Sequence, residues 1–481
     1  MYQRKLLAVA IASAIAAAAA PALAAPTNFD AFTPMASSVS PPVPVAQEGN
    51  TIKFGSPNIV ATTIADRNTQ LAAGQPNSGN WDMITLNETG PDAGRYLFTV
   101  FETGEGGVQR TDLNTNTTTT VWNSPGAPPL NQAAVFDASY WTPWGTFVTA
   151  EESWTTAVGG ATTNPLGRLF ELTNAISATS NADAQFFHRN VVPRTSHEGI
   201  QWDADNNMYF IDELNGGNVY KYVPKGGAAS GAAGTYFDAG TTYVLRVGDG
   251  TTDNATGSFE WVPFTDADGN ALAGALTITD PNGVTSVDAR NTTNLAAFLG
   301  TNYQRPEDLQ IKRLPNGDLV MFMATTTTNE VYTVNLTDST ISVFANTSTI
   351  DLATGAAVGA GLRSPDNLAI DSEVNIYVIE DRNGGVDNDI WFAKDLNHDG
   401  DLLDLNEGLA RWASQGTEGS EFTGLYFDPF NPNRAWVNIQ HPRSGNDRLF
   451  QITHVPEPGM AGLFGAGALA LLLARRRKSR R

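Results

Sequence analysis

The sequence predicts an all-β protein, a six-bladed β-propeller with one inserted loop region. Three observations point there. Strand-like runs fill residues 50–454, with no convincing amphipathic helix. One hairpin pattern recurs: a β-rich run, a short Gly/Asn-rich turn and a second β-rich run. The recurrences are nearly regular, as in a repeat architecture. Composition agrees. Only 16% of the 481 residues are charged and 41% are hydrophobic, which excludes a coiled coil and wholesale disorder. There is no cysteine, hence no disulfide framework, thiolate metal site or cysteine nucleophile. The net charge of −21 repels nucleic acid and anionic lipid, so no nucleic-acid partner is expected.

In chain order, residues 1–24 form the first element. Arg4 and Lys5 precede an apolar stretch, Leu6–Ala20, and Ala22-Leu23-Ala24 makes a small-residue cleavage site. This is the pattern of a secretory signal peptide. Six hairpins follow, beginning near Arg95, Trp144, Asn207, Gly317, Asn375 and Arg434. Markers in them (Tyr96, Thr146, Met208, Leu319, Ile376, Ala435) lie 50 to 62 residues apart, except for one interval of 111. Spacing near 55 suits a four-stranded blade. The long interval contains residues 224–299, read as an insertion, with a hidden seventh blade as the alternative. An all-β sandwich array would not need such regular units.

A short apolar strand precedes each hairpin, and an acid precedes that strand. The acids are Asp137, Glu198, Glu307, Asp366 and Glu421, with Asp82 a weaker sixth. Equivalent positions in successive blades lie around one axis, so these carboxylates should converge at the mouth of the central channel. Such a cluster needs compensation, and hard cations provide it. Oxygen-only ligands favour Ca²⁺ or a similar oxophilic metal. Further acids end the next strand in pairs: Glu151 and Glu152, Asp212 and Glu213, Glu380 and Asp381. Neighbours on a strand face opposite ways, so one of each pair can join the site. Arg305 stands two residues before Glu307. Its planar fork suits a phosphate or carboxylate, and a salt bridge to Asp308 is the structural alternative. His197 and His441 lie in the repeat loops and are candidates for substrate contact. No HExxH, GxSxG or Walker pattern occurs.

Asp395, Asn397, Asp399 and Asp401, with Gly400 at the sixth place, match the first half of an EF-hand-like calcium loop. They are read as a structural Ca²⁺ site. Asp266-Ala-Asp268-Gly269-Asn270 is a shorter version.

The tail, residues 455–481, combines Val455-Pro456-Glu457-Pro458, the apolar run Gly459–Ala474 and a cluster of Arg and Lys. It resembles the PEP-CTERM sorting signal of Gram-negative bacteria. The resemblance implies a transmembrane segment, processing by an exosortase, and delivery to the periplasm, cell envelope or extracellular matrix.

TPWGTFVTAEE (142–152), SHEG (196–199), RPEDL (305–309), SPDNLAID (364–371) and SEFTGLYFDPFNPNRAWVNIQHP (420–442) resemble, in order, the signatures of the PhoX-type alkaline phosphatase family. The resemblance implies a secreted β-propeller phosphomonoesterase with calcium and iron in the channel mouth. It implies Glu151, Glu198, Glu307, Asp366 and Glu421 as metal ligands and Arg305 as the residue that binds substrate phosphate. The family's iron-ligating cysteine, just before TPWGT, corresponds by position to Asp137. That departure keeps an oxygen donor for several Ca²⁺ ions and puts Fe³⁺ in question. The leading expectation is hydrolysis of a small phosphorylated substrate. The alternatives are a non-catalytic calcium-binding propeller that holds extracellular polysaccharide, and a calcium-dependent lactonase.

Overall fold

The computed structural model describes residues 29–39, 43–125, 133–153, 164–226, 235–382 and 388–455. The predicted signal peptide and the apolar run Gly459–Ala474 lie outside them. Among the described residues no helix is long and apolar enough to cross a membrane.

The two innermost strands of most units are buried along nearly their whole length, as in Trp81–Leu86, Phe147–Glu151 and Ile376–Glu380. A sheet apolar on both faces must be covered on both. Among the described residues the chain meets that demand with six antiparallel units of four strands; Lys53–Phe54 adds a further edge strand to the fifth, and one more strand links the third and fourth into a single sheet. The first unit is Trp81–Leu86, Tyr96–Phe101, Gly107–Asp112 and Thr117–Asn123. The second is Phe136–Trp141, Phe147–Glu151, Leu169–Leu172 and Phe186–His188. The third is Ile200–Trp202, Met208–Ile211, Val219–Pro224 and Gly240–Val247. The fourth is Pro306–Arg313, Leu319–Thr325, Glu330–Asn335 and Thr340–Ala345. The fifth is Pro365–Ile370, Ile376–Glu380, Asn388–Lys394 and Gly408–Gln415. The sixth joins Glu421–Phe427, Arg434–Gln440 and Arg448–His454 to Ile59–Asp66 from the N-terminal side.

These units stack face to face in a ring, as in a propeller. Phe98 and Val100 of the first unit pack with Phe136 and Phe147 of the second. Ala138 and Val148 continue to Ile200 and Phe210 of the third. Tyr209 and Val219 meet Leu309 and Met321 of the fourth. Val320 and Phe322 meet Leu368 and Ile376 of the fifth. Tyr377 and Ile379 meet Phe422 and Val437 of the sixth, and Trp436 and Leu449 close back on Trp81 and Leu86. At roughly 1.5–3 kcal/mol for each large apolar side chain fully buried, these six interfaces are the main source of cohesion. The first strand of each unit is innermost and touches the first strands of both neighbouring units. The final seam is closed by chain ends, with Ile59 opposite His454 and Asp66 opposite Arg448.

The region 224–299 is only partly an insertion. Gly240–Val247 pairs with Val219–Pro224 and completes the third unit. It is a largely buried strand that lies inside a Gly-, Thr- and Asp-rich stretch, and that surrounding composition hid it. Gly257–Pro263 then extends that sheet and touches Thr340–Ile341, tying the third unit to the fourth. Among the described residues what remains is a hairpin, Thr277–Thr279 with Thr285–Val287, and the one-turn helix Ala289–Thr292, with no seventh four-stranded unit.

Candidate active site

Antiparallel pairing sets the start of each innermost strand beside the end of the next strand. Trp81 pairs with Phe101, Phe136 with Glu151, Pro306 with Thr325, Pro365 with Glu380, and Glu421 with Gln440. Each unit therefore offers two adjacent positions at one end of the ring. The first unit gives Asp82 and Glu102, the second Asp137 and Glu152, and the third Glu198 and Glu213. The fifth gives Asp366 and Asp381, and the sixth Glu421 and His441. All of these, with Arg305 from the fourth unit, line one cavity of about 480 Å³. A second cavity, at the other end of the channel, is lined by later residues of the same strands, such as Tyr140, Gln310 and Ala369. It lacks such a concentration of charge.

The predicted ring is thus brought together: Asp82, Asp137, Glu198, Asp366 and Glu421 line the cavity, and Glu307 stands against Arg305 at its wall. Glu151 does not belong to it. Its carboxylate is fully buried between strands and accepts from Arg168 Nε at 2.9 Å and Nη2 at 2.7 Å, and from the amides of Ala134 and Arg168. Glu152 lines the cavity in its place. The other pairs divide alike. Asp212 accepts from the Ser196 amide at 3.0 Å, and Glu380 from the Arg363 amide at 2.8 Å and the Trp391 indole at 3.1 Å. Glu213 and Asp381 face the cavity.

His197 is also a correction. It is fully buried against Phe210, not in the cavity, and burial lowers its pKa to about 3. His441 does line the cavity. Its Nδ1 meets the Gly419 carbonyl at 2.6 Å and its Nε2 meets Glu421 Oε1 at 2.7 Å, so the ring is held on both sides. Glu102 escaped sequence reading. Its signal is positional: it follows Phe101 at the step by which Glu152 follows Glu151.

Among the described residues, Arg305 is the one guanidinium lining the cavity, against nine carboxylates. It pairs with Glu307 at 3.0 Å and with Glu213, not with Asp308. Asp308 instead accepts the amides of Leu309 and Leu368, at 2.7 and 2.9 Å. Burial opposes the charge on Arg305, but Glu307 and Glu213 outweigh it and raise its pKa further. Its backbone has φ of 55°, a left-handed conformation uncommon for a side chain of this size. Such strain is typical of residues fixed for function.

Burial, reinforced by mutual repulsion, pushes the carboxyl groups up. Glu152 and Glu307 rise to about 7. Asp82, Glu198 and Glu421 rise well above the usual range, chiefly by burial and then by the fields of Asp137, Asp137 and Asp381 respectively. One oxygen on each of Asp82, Asp137, Glu198, Glu213, Glu307 and Glu421 is buried without a hydrogen-bond partner. Oxygens of Asp137, Glu152 and Glu198 lie within 4.8 Å of one another, as do those of Glu198, Glu213 and Glu307. Unpartnered buried oxygens in two triads that share Glu198 fit hard cations, and the donor set is almost wholly oxygen.

Residues 138–443 match the family Alkaline phosphatase PhoX. The chain belongs to the PhoX alkaline phosphatase family. The matched span starts one residue after Asp137 and takes in Glu198, Arg305, Glu307, Asp366, Glu421 and His441. Residues 454–478 match the PEP-CTERM protein-sorting motif. Among solved structures, Pseudomonas fluorescens PhoX in complex with vanadate, a transition state analogue, superposes with a TM-score of 0.57. It is 15% identical and the match covers 88% of this chain and 98% of that one, so the two share a fold. A Bacteroides thetaiotaomicron protein of unknown function is 10% identical over 82% of this chain and 76% of its own, with a TM-score of 0.39. That likeness is too slight to argue from. No curated protein matches the chain.

Proposed function

We propose that the protein is an exported, metal-dependent phosphatase that hydrolyses phosphate monoesters in the carboxylate-lined cavity. One observation carries the reading: among the described residues, nine carboxylates from five units share the cavity with a single guanidinium. An anionic substrate cannot enter such a site unless positive charge is added. Asp137, Glu152, Glu198, Glu213 and Glu307 would hold the ions, with Asp82, Asp366, Asp381 and Glu421 completing the cage. Bound cations supply Lewis acidity toward a phosphoryl oxygen. Calcium is the metal the donors suit best, and Asp137 offers a hard oxygen for it, which removes the thiolate expected for iron.

Arg305 has the protein's own part. Its fork, aimed by Glu213 and Glu307, binds two phosphate oxygens and offsets the charge that develops on them. His441, oriented by the Gly419 carbonyl and Glu421, lines the same cavity and is a candidate for substrate contact. That the Pseudomonas fluorescens relative binds vanadate supports a phosphate site in this fold. Export by the N-terminal leader and exosortase processing of the tail fit the sorting motif. The polysaccharide partner has no comparable support.

Turnover of p-nitrophenyl phosphate tests the reading. Activity should disappear in excess EDTA and return with added Ca²⁺. Sustained turnover after exhaustive metal removal would refute it.

A further inference from the structure

Strands Asn388–Lys394 and Gly408–Gln415 of the fifth unit are joined by a loop that serves no part of the cavity. Alternating strand direction puts it on the opposite face of the ring. Asp395, Asn397 and Asp399 place oxygen-bearing side chains at alternate positions, and Gly400 follows with φ of 89°. Asp395 is only 6% exposed. Its Oδ2 accepts the Gly400 amide at 3.0 Å, while Oδ1 is buried with no hydrogen-bond partner. A buried polar oxygen left this way is costly, by about 1–3 kcal/mol and more if charged. Glu407, 2% exposed, folds back over the loop, with Oε1 accepting the Leu396 amide at 2.8 Å and Oε2 the Asp404 amide at 3.1 Å. Two buried carboxylates thus both accept amides of this one loop. Among the described residues no salt bridge reaches them, nor Asp399, Asp401 or Asp404. The loop is pinned at a further point, where the Gly400 carbonyl accepts from Thr333 Oγ1 of the fourth unit at 2.6 Å.

We propose that this loop is a structural Ca²⁺ site, separate from the cavity, that fastens the fifth unit to the fourth. The side chains of Asp395, Asn397 and Asp399, the peptide carbonyl of Asp401 and the carboxylate of Glu407 are its ligands. An all-oxygen set on a pliable loop selects Ca²⁺ over Mg²⁺, which demands stricter octahedral geometry, and over softer metals. The ion satisfies the unpartnered oxygen of Asp395 and replaces the missing cation.

Limited chymotrypsin digestion of the full chain, with CaCl₂ as the only added metal, tests this. Leu403 and Leu405 are 85% and 86% exposed and offer cutting sites inside the loop. In EGTA-treated wild type, Ca²⁺ should slow cleavage there about tenfold or more, because binding suppresses local opening. Asp399→Ala and Asn397→Ala, both at exposed positions, should lose that protection and one bound Ca²⁺ per chain. Asp366→Asn, in the cavity, should keep the protection. Cleavage indifferent to Ca²⁺, equal protection in the Asp399→Ala and Asn397→Ala chains, or equal protection by MgCl₂ alone would overturn the proposal.

Discussion

Glu151 and Glu152 are neighbours with opposite tasks. Glu151 sits between strands of the second unit with both oxygens occupied by Arg168 and two amides, and Glu152 stands in the cavity. Replacing Glu151 with Gln takes the close carboxylate from the buried Arg168 charge and leaves it only Asp280 Oδ2, at 3.8 Å. The expected loss is about 3–5 kcal/mol of stability, read by denaturant unfolding, with metal content unchanged. Glu152→Gln should do the reverse: metal content falls while stability holds. The sequence placed an acid pair at the end of three second strands, but the choice within a pair depends on register, which no residue pattern announces. Arg305 was legible from its charge among acids, while its partners were not. Arg305→Lys keeps the charge and loses the fork. Its kcat/KM for p-nitrophenyl phosphate should fall about 10- to 100-fold, in line with a charged hydrogen bond of about 1.5–3 kcal/mol. An unchanged kcat/KM would remove Arg305 from phosphate binding.

The innermost strands share a device that the sequence concealed. In five units three steps along the first strand oppose two along the second: Trp81 to Ile84, Phe136 to Ser139, Pro306 to Leu309, Pro365 to Leu368 and Thr423 to Tyr426. Each is a β-bulge, which breaks alternation and re-aims a side chain. In four of them the bulge holds the acid itself: Asp82, Asp137, Glu307 or Asp366. Strict alternation along these strands therefore misassigns faces, although the repeated acid positions remain visible. In the sixth unit the bulge falls at Gly424, with φ of 62°, where an added Cβ would lie 2.7 Å from the Ile84 amide nitrogen. Gly424→Ala should destabilise the protein by about 1–3 kcal/mol, measured as a lower denaturant midpoint. An unshifted midpoint would mean that the seam between the sixth and first units tolerates displacement.

Across the whole ring the cavity makes folding and ion binding one problem. Without metal, burial of Glu152 and Glu307 holds their pKa near 7, against an ordinary value of 4.5. The folded chain then keeps protons that the unfolded chain releases, so stability is greatest below about 4.5 and is lost as pH rises through about 7. Metal-stripped protein should show a melting temperature that falls across this window. Calcium-loaded protein should show a shallower slope, because the ions replace the protons. Equal slopes would mean that the carboxylates do not bind the ions. The repeating units, the ring of acids and the family likeness were open to reading because they recur along the chain. The completion of the third unit by Gly240–Val247 and the closing role of Ile59–Asp66 were hidden, since both depend on pairings made only in the folded ring.

The central claim is that the channel mouth traps positive ions between these carboxylates. Anomalous diffraction from crystals of protein purified without chelator tests it most directly. The account predicts metal peaks bounded by Asp137, Glu152, Glu198, Glu213 and Glu307, beside the Arg305 fork. Carboxylates hydrogen-bonded only to one another and to water, with no such peak after soaking in Ca²⁺, would contradict it.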